Sequence, residues 1–330
     1  MKKLYILSLL LVAGSLSFAQ VSERFVGTGS LNANGWTTHS GTTPGQLSIT
    51  AGSLTYSTIS PVGNKAALVA GNTEDVNLSI GTALTGTVYY SVIINMPNAT
   101  GLHPNTATGD YSIALGGTAG TSLTSLPARL YYRTGTVADT FNVGILNNSG
   151  GTVAPAFVAT DFPINAPIFV VVKYELATNT ASLFVNPALN STEPAATTTN
   201  NTGTTAAPAQ IASIALRQGG SATTGTGNVE YDDIRVADNW TYVTTSVLKV
   251  DQNAIAGLSI FPNPVKNGVF YINTDANAER TVTVFDVLGK QVLNTTTSQS
   301  AINVSGLNAG VYMVKVTEEG NTATRKLVIE

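Results

Sequence analysis

The chain contains no cysteine, which removes disulfides, thiolate metal sites and a lipoprotein anchor from consideration. It is also poor in charge. Only 11% of its residues are Asp, Glu, Lys or Arg, against about 25% in ordinary soluble domains. The net charge is −3, and no basic stripe runs through the sequence. Nucleic acid and an anionic lipid surface both need clustered Lys and Arg, so neither is expected as a partner. The histidines, His39 and His103, fall in loop-like segments without a ligand partner at metal spacing. No Gly-x-Ser-x-Gly elbow is present. The Gly-rich piece Gly116-Gly117-Thr118-Ala119-Gly120 does not precede a helix, so it offers no phosphate cradle. After residue 19 helical periodicity is nearly absent, and no run is long and apolar enough to span a bilayer.

With 43% hydrophobic residues and so few charges, the surface must be covered by Thr, Ser, Asn and Gly, a composition that suits an extracellular β-protein. The N-terminus agrees with this. Met1-Lys2-Lys3 is a short positive segment, Leu4 to Leu16 is an apolar run, and Ser17-Phe18-Ala19 supplies small residues for a cut. Residues 1–19 are expected to be a signal peptide cleaved after Ala19, leaving a mature chain without a transmembrane segment. A secreted domain without disulfides must rely on its core, and a chain of this length is able to bury one.

Short β-rich runs recur between turn clusters. They are Ser53–Ile59, Thr87–Met96, Tyr111–Leu115, Ala128–Arg133, Phe141–Leu146, Phe169–Glu175, Ala181–Val185, Ile211–Arg217 and Val229–Val236. Phe169 to Val185 is expected to be a hairpin turning at Ala177-Thr178-Asn179-Thr180. The consecutive apolar residues Phe169-Val170-Val171-Val172 call for a strand covered on both faces. Residues 186–210 and 218–228 are expected to be mobile loops. Two segments, Phe169 to Pro187 and Val229 to Trp240, give residues 20–242 a resemblance to laminin-G-like or concanavalin-A-like jelly-roll sandwiches. That resemblance implies neighbouring first and last strands, and it would place Trp36 near Trp240.

The last 73 residues form a different pattern. Phe261-Pro262-Asn263-Pro264 is a stiff entry, because each proline fixes φ and removes a donor. Val282 to Val287, a turn at Leu288-Gly289, and Gln291-Val292-Leu293 make a hairpin. Gly310 opens a strand with Tyr312, Val314 and Val316 on one face, and Lys326 to Ile329 closes the segment. A small immunoglobulin-like antiparallel sandwich of about seven strands is expected. These motifs, with Asp286-Val287-Leu288-Gly289-Lys290 and Gly310-Val311-Tyr312, closely resemble the C-terminal sorting domain (type A) of the Bacteroidetes type IX secretion system. The family often has tyrosine where Phe261 stands. The resemblance implies Sec-dependent entry, export across the outer membrane, recognition by the translocon and removal by a surface sortase, with a cut expected in or near residues 245–257. The sorting residues it implies are Phe261, Pro262, Asn263, Pro264, Asp286, Gly289, Lys290, Gly310, Tyr312 and Lys326. The expected organisation is therefore all-β: signal peptide 1–19, jelly-roll sandwich 20–242, linker 243–257 and sorting domain 258–330.

In the first domain the carboxylate cluster that invites a catalytic hypothesis is Glu230-Tyr231-Asp232-Asp233-Ile234-Arg235. Laminarinase-like sandwich glycosidases use Glu-x-Asp-x-x-Glu, which alternation points into one cleft. Glu230 and Asp232 fit the first two positions, but Arg235 replaces the second catalytic glutamate. The preferred reading is a strand with a polar outer face and a turn-stabilising aspartate. Calcium takes carboxylate and carbonyl oxygens, and Asp232, Asp233, Asp110 and Asp139 are its candidates, although no Asp-x-Asp-x-Asp-Gly loop exists. The pairs Tyr89-Tyr90 and Tyr131-Tyr132 each place one ring on each strand face, one for the core and one for sugar stacking. The leading expectation is a secreted or surface carbohydrate- or matrix-binding protein. The alternatives are a glycoside hydrolase or lyase, and a structural or adhesion protein without a small ligand.

Overall fold

Alternation of apolar and polar residues along short strands produces two stacked sheets, and the computed structural model shows them. It describes residues 21–41, 46–152, 154–246, 255, 257–319 and 321–330; the expected signal peptide and its cut after Ala19 lie outside the described residues. The chain forms two compact units, Met1–Val247 and Leu248–Glu330.

In the first unit, the nine-stranded sheet runs in the order β15 (Thr198–Asn200), β14 (Thr180–Val185), β13 (Ile168–Glu175), β7 (Thr87–Asn95), β17 (Val229–Ala237), β5 (Lys65–Leu68), β4 (Ser48–Thr50) and β2 (Gly29–Ser30). The strand β1 (Val21–Glu23) shares the free stretch of β17's edge with β5. First and last strands are thus neighbours, as the jelly-roll resemblance implied. The eight-stranded sheet runs β11 (Ala156–Phe157), β10 (Thr140–Leu146), β9 (Arg129–Thr134), β8 (Asp110–Gly116), β16 (Ile211–Arg217), β6 (Asp75–Leu84) and β3 (Thr37–Ser40), with β12 (Phe162–Pro163) also on β10. Facing side chains fill the space between them, including Val88, Tyr90, Val92 and Ile94 from β7 and Leu130, Tyr132, Val143 and Ile145 from β9 and β10. Inside this core the hydroxyls of Tyr231 and Tyr132 are 2.9 Å apart, Ser112 also bonds Tyr231, and Tyr90 donates to the Ala128 carbonyl at 3.1 Å. Burial raises the pKa of all three phenols, so they stay neutral donors.

The apolar run in β13 has the predicted cause. Val170 and Val172 face the sandwich, while Phe169 and Val171 join a second cluster on the outer side of the nine-stranded sheet. The short helix α1 (Trp240–Thr244) and the segment holding Leu54 and Ile59 cover that cluster. Asn239 caps α1 by accepting from the Tyr242 amide at 2.9 Å.

Several expectations are corrected. Ser53–Ile59 is not a strand but a tight loop bridged between Tyr56 and Ile59; its apolar residues serve as a lid on the outer cluster. Residues 186–210 contain β15, and the buried Asn200 side chain binds the Asn147 amide and the Ala154 carbonyl, so polar side-chain bonds order a stretch that composition marked as loose. Residues 218–228 bury Gln218 and Thr226 and bridge back to Leu102. Trp36 stacks on Phe25 in the main core, whereas Trp240 packs on Phe184 and Tyr89 in the outer cluster; the two tryptophans are in different layers. His39 lies in β3, half-buried, with Nδ1 3.2 Å from the Asn77 amide nitrogen.

The second unit is a small sandwich. One sheet runs β18 (Ser259–Phe261), β19 (Val269–Asn273), β22 (Ala301–Asn303); the other runs β21 (Gln291–Thr297), β20 (Arg280–Phe285), β23 (Gly310–Glu318), β24 (Asn321–Ile329). Alternate residues Val282, Val284, Tyr312, Val314 and Val316 meet Phe270, Ile272 and Ile302 in its core.

Candidate functional site

The acidic strand β17 carries its carboxylates as structural ties. A bulge between Asp232 and Arg235, with Asp233 at φ 48°, splits the cluster. Glu230 pairs with Lys65 at 2.9 Å and accepts from Asn95 at 2.8 Å. Asp232 is fully buried and accepts from the Leu54 amide at 2.9 Å and the Asp233 amide at 2.7 Å. Asp233 grips Arg235 with both oxygens, at 3.1 and 2.6 Å, and Arg235 donates on to the Thr245 carbonyl at 2.5 Å. Glu230 and Asp232 therefore share a face, as alternation demanded, but each carboxylate is held by its own partners, Lys65 and Asn95 for the one and the Leu54 and Asp233 amides for the other. The other calcium candidates stand elsewhere. Asp110 pairs with Arg217 at 2.7 Å on the eight-stranded sheet, and Asp139 is exposed in the turn between β9 and β10. Among the described residues no three His, Asp or Glu side chains gather to hold a metal ion. The oxygens of Asp232 and Asp233 are already taken by N–H donors, so the residues present do not fit calcium.

The open concavity lies on the outer face of the eight-stranded sheet. On β9, Leu130 and Tyr132 point into the core, leaving Arg129, Tyr131 and Arg133 outside. Across the ladder, Arg133 pairs in register with Asn142, and Tyr131 with Gly144. Gly144 is needed here: a Cβ would lie 2.8 Å from the Phe157 ring. That space lets Phe157 lie over β10, where the Arg133 guanidinium stacks 3.6 Å from its centroid. A cleft of about 350 Å³ opens beside this stack, lined by Asn105, Arg133, Thr136, Asn142, Val158 and Asp161. Asp161 accepts from the Thr136 amide at 2.6 Å and its hydroxyl at 2.5 Å. These bonds, the hydroxyl's first, hold its carboxyl below the usual range. The Asn142 amide nitrogen donates to Val158, Thr160 and Asp161 oxygens, each at 3.0 Å, which fixes its orientation and leaves Oδ1 on the other side. Asn142 Oδ1 and Arg133 Nε are both buried without a partner.

This cleft was not legible in the sequence. Its residues come from four separate segments, and the signals near it were Tyr131-Tyr132 and Phe141–Leu146. Tyr132 proves to be the core ring of its pair, while Tyr131 faces outward but is buried beneath its neighbours.

In the second unit the expected sorting residues fall at one edge and two turns. Asn263 donates to the Lys326 carbonyl at 2.8 Å and accepts from the Val328 amide at 2.9 Å. Its amide thus substitutes for a neighbouring strand on β24. Phe261 stacks on Tyr271 at 5.8 Å. Asp286 Oδ1 accepts from the Leu288 and Lys290 amides, both at 2.9 Å, and Gly289 takes φ 81°, a conformation open to glycine at little cost. Tyr312 is buried and donates to the Asn308 carbonyl at 2.8 Å, just before Gly310 opens β23. The segment expected to be cut, 245–257, lies largely outside the described residues.

Residues 259–330 match the family described as a secretion system C-terminal sorting domain. A stretch of 94 residues is 32% identical to an ulvan lyase of Nonlabens ulvanivorans; it makes up 27% of this chain and 17% of the lyase. The match thus spans about a sixth of that curated relative. Similar solved structures include a sialidase (13% identity, 66% of this chain and 18% of that chain, TM-score 0.38). The Emp47p carbohydrate recognition domain is another (10% identity, 66% and 95%, TM-score 0.37). Peanut lectin is a third (13% identity, 66% and 96%, TM-score 0.36).

Proposed function

We propose that this protein, directed across the outer membrane to the cell surface or extracellular space by its sorting tail, binds carbohydrate there through the Arg133 cleft. The observation that carries this is the mixed polar lining of the cleft, where the Arg133 guanidinium, held on the Phe157 ring, stands with the Asp161 carboxylate and the Asn142 amide. A sugar hydroxyl both donates and accepts, so donors and acceptors side by side suit it. Asn105, Thr136 and Asp161 add polar contacts around it, and a volume of about 350 Å³ is at the lower end of ligand pockets. On a glycan array the secreted protein is expected to bind one glycan class saturably. Arg133→Ala should abolish that binding. Gly144→Val should do the same without removing a polar group, by driving Phe157 and the Arg133 guanidinium out of place. Chelator should leave binding unchanged, since among the described residues no three His, Asp or Glu side chains gather to hold a metal ion. Binding that survives both substitutions in folded protein would exclude the cleft.

The sorting residues act here by holding the tail's edge. Asn263→Ala removes both bonds to β24 and is expected to lower the exported fraction several-fold, with protein accumulating in the periplasm. Fractionation of cells expressing the variant measures this. Wild-type export of the variant would show that Asn263 is dispensable.

A further inference from the structure

The aromatic rings on the outer face of the eight-stranded sheet do not present bare faces. The guanidinium carbons of Arg129 and Arg217 lie 4.7 and 4.5 Å from the Tyr111 centroid, and Arg133 covers Phe157 at 3.6 Å. Tyr131 packs against Tyr111 at 5.5 Å and is buried. A neutral sugar stacks its C–H face on an exposed ring, and on this sheet cations already occupy the rings. What the face offers to solvent is guanidinium. Each group is held by the ring beneath it, so little side-chain freedom is lost when it takes a carboxylate or sulfate in fork geometry.

Charge on this face is only partly neutralised from within. Arg217 pairs with Asp110. Among the described residues neither Arg129 nor Arg133 makes an ion pair. Arg129 Nε donates to the Leu126 carbonyl at 2.6 Å, and Arg133 has a long 3.4 Å contact to the Ala107 carbonyl. In a chain of 11% charged residues, two open guanidiniums on one strand are a concentrated feature. They stand four residues apart on β9, hence on the same face and about 13 Å apart at ~3.3 Å per residue. A single sugar does not reach both, whereas a polymer lying along β9 does. The Asp161 carboxylate lines the cleft between Thr136 and Asn142 and repels an anion from its floor. Hydroxyls therefore enter the cleft, and acid groups meet the guanidiniums at its rim and at Arg129.

We infer that the ligand of this face is an acidic polysaccharide, whose carboxylate or sulfate groups meet Arg129 and Arg133 while hydroxyls fill the Arg133–Asn142 cleft. This rests on the carbohydrate-binding assignment of the same site.

Affinity electrophoresis of the secreted protein through native gels containing polygalacturonate, dextran sulfate or plain dextran tests it. The two acidic polymers distinguish carboxylate from sulfate, and dextran is the neutral arm. Retardation by at least one acidic polymer and none by dextran is expected, weakening as salt is raised because rim charges are screened. Arg129→Gln and Arg133→Gln should each weaken retardation about tenfold, and Lys173→Gln, on the opposite sheet, should not. Galacturonic acid monomer should compete far less well than its oligomers. Equal retardation by dextran would overturn the acidic class and leave carbohydrate binding standing. Retardation undiminished in folded Arg129→Gln would overturn the placement. No retardation by any polymer would overturn both.

Discussion

Replacing Glu318 with alanine is expected to destabilise the second unit by about 3–5 kcal/mol, the cost of breaking a buried ion pair from one side. Glu318 and Arg280 face each other with side-chain exposures of 2% and 0% and a separation of 3.6 Å. Glu318 Oε1 also accepts from the Thr274 hydroxyl at 2.9 Å and the Ala278 amide at 3.0 Å. Arg280 depends on weaker bonds, to the Ile272 and Ala278 carbonyls at 3.3 Å and to Asn277 at 3.4 Å. Without the carboxylate, a guanidinium remains buried among carbonyl dipoles, and two donors lose their acceptor. Hydrogen exchange of the full chain reads the effect directly: amides of β20 and β23 should exchange orders of magnitude faster. Tryptophan fluorescence should not change, because Trp36 and Trp240 both belong to the first unit. Replacing both partners, Arg280→Met with Glu318→Leu, should recover the part of the loss that comes from the unpaired charge, while the Thr274 hydroxyl and the Ala278 amide still lack their acceptor. Protection in Glu318→Ala equal to wild type would show that the pair contributes little.

The ion pair illustrates what a sequence of this kind conceals. Arg280 and Glu318 are register partners on β20 and β23, yet nothing in their local context marks them as buried. By contrast, the strands themselves were legible wherever they carried an apolar period or run. Ile211–Arg217 matches the observed strand, and the ends of the 87–96, 141–146 and 169–175 runs differ from the observed strands by about one residue. The early strands are not legible in the sequence. β4 and β5 are only three and four residues long, and β6 (Asp75–Leu84) mixes Asn, Ser, Gly and Thr into its alternation. Ser53–Ile59 failed in the opposite direction: it has strand composition because Leu54 and Ile59 plug the outer cluster, and burial alone does not separate a plug from a strand.

The same limits govern the sites. Motifs in the tail were readable because each is local: a Pro-Asn-Pro entry, an Asp-x-x-Gly turn, a Gly before a strand. The acidic strand was readable as a strand whose Arg235 stands where a second glutamate was needed, but the burial of Asp232, Asp233 and Arg235 was not, because a polar outer face was expected there. The Arg133 cleft was hidden because it depends on register. Gly144 gives no sign of its purpose until Phe157 is seen to lie over it, and Asn142 joins Arg133 only through the pairing of β9 with β10.

Asp232 supplies the second large effect, a loss of first-unit stability as pH rises. Burial pushes its carboxyl from 3.8 to about 7, against the opposing pull of the Leu54 and Asp233 amides. Between those values the folded chain keeps a proton that the unfolded chain has released. The stabilisation is therefore complete below about pH 4 and is lost as pH climbs to about 7, a change of up to about 4 kcal/mol at ~1.4 kcal/mol per unit. Asp75, raised to about 6 by burial, adds to the decline in the lower part of the same window. Unfolding followed by tryptophan fluorescence between pH 4.5 and 8 isolates this unit. Asp232→Asn cannot accept from both amides, a cost that does not itself vary with pH, so at the acid end it should be less stable than wild type. Across the window wild type loses the Asp232 contribution and the variant has none to lose, so the gap should narrow by up to about 4 kcal/mol towards neutral pH. A gap that stays constant from pH 4.5 to 8 would mean that Asp232 is ionised in the folded protein, with the Leu54 and Asp233 amides outweighing its burial.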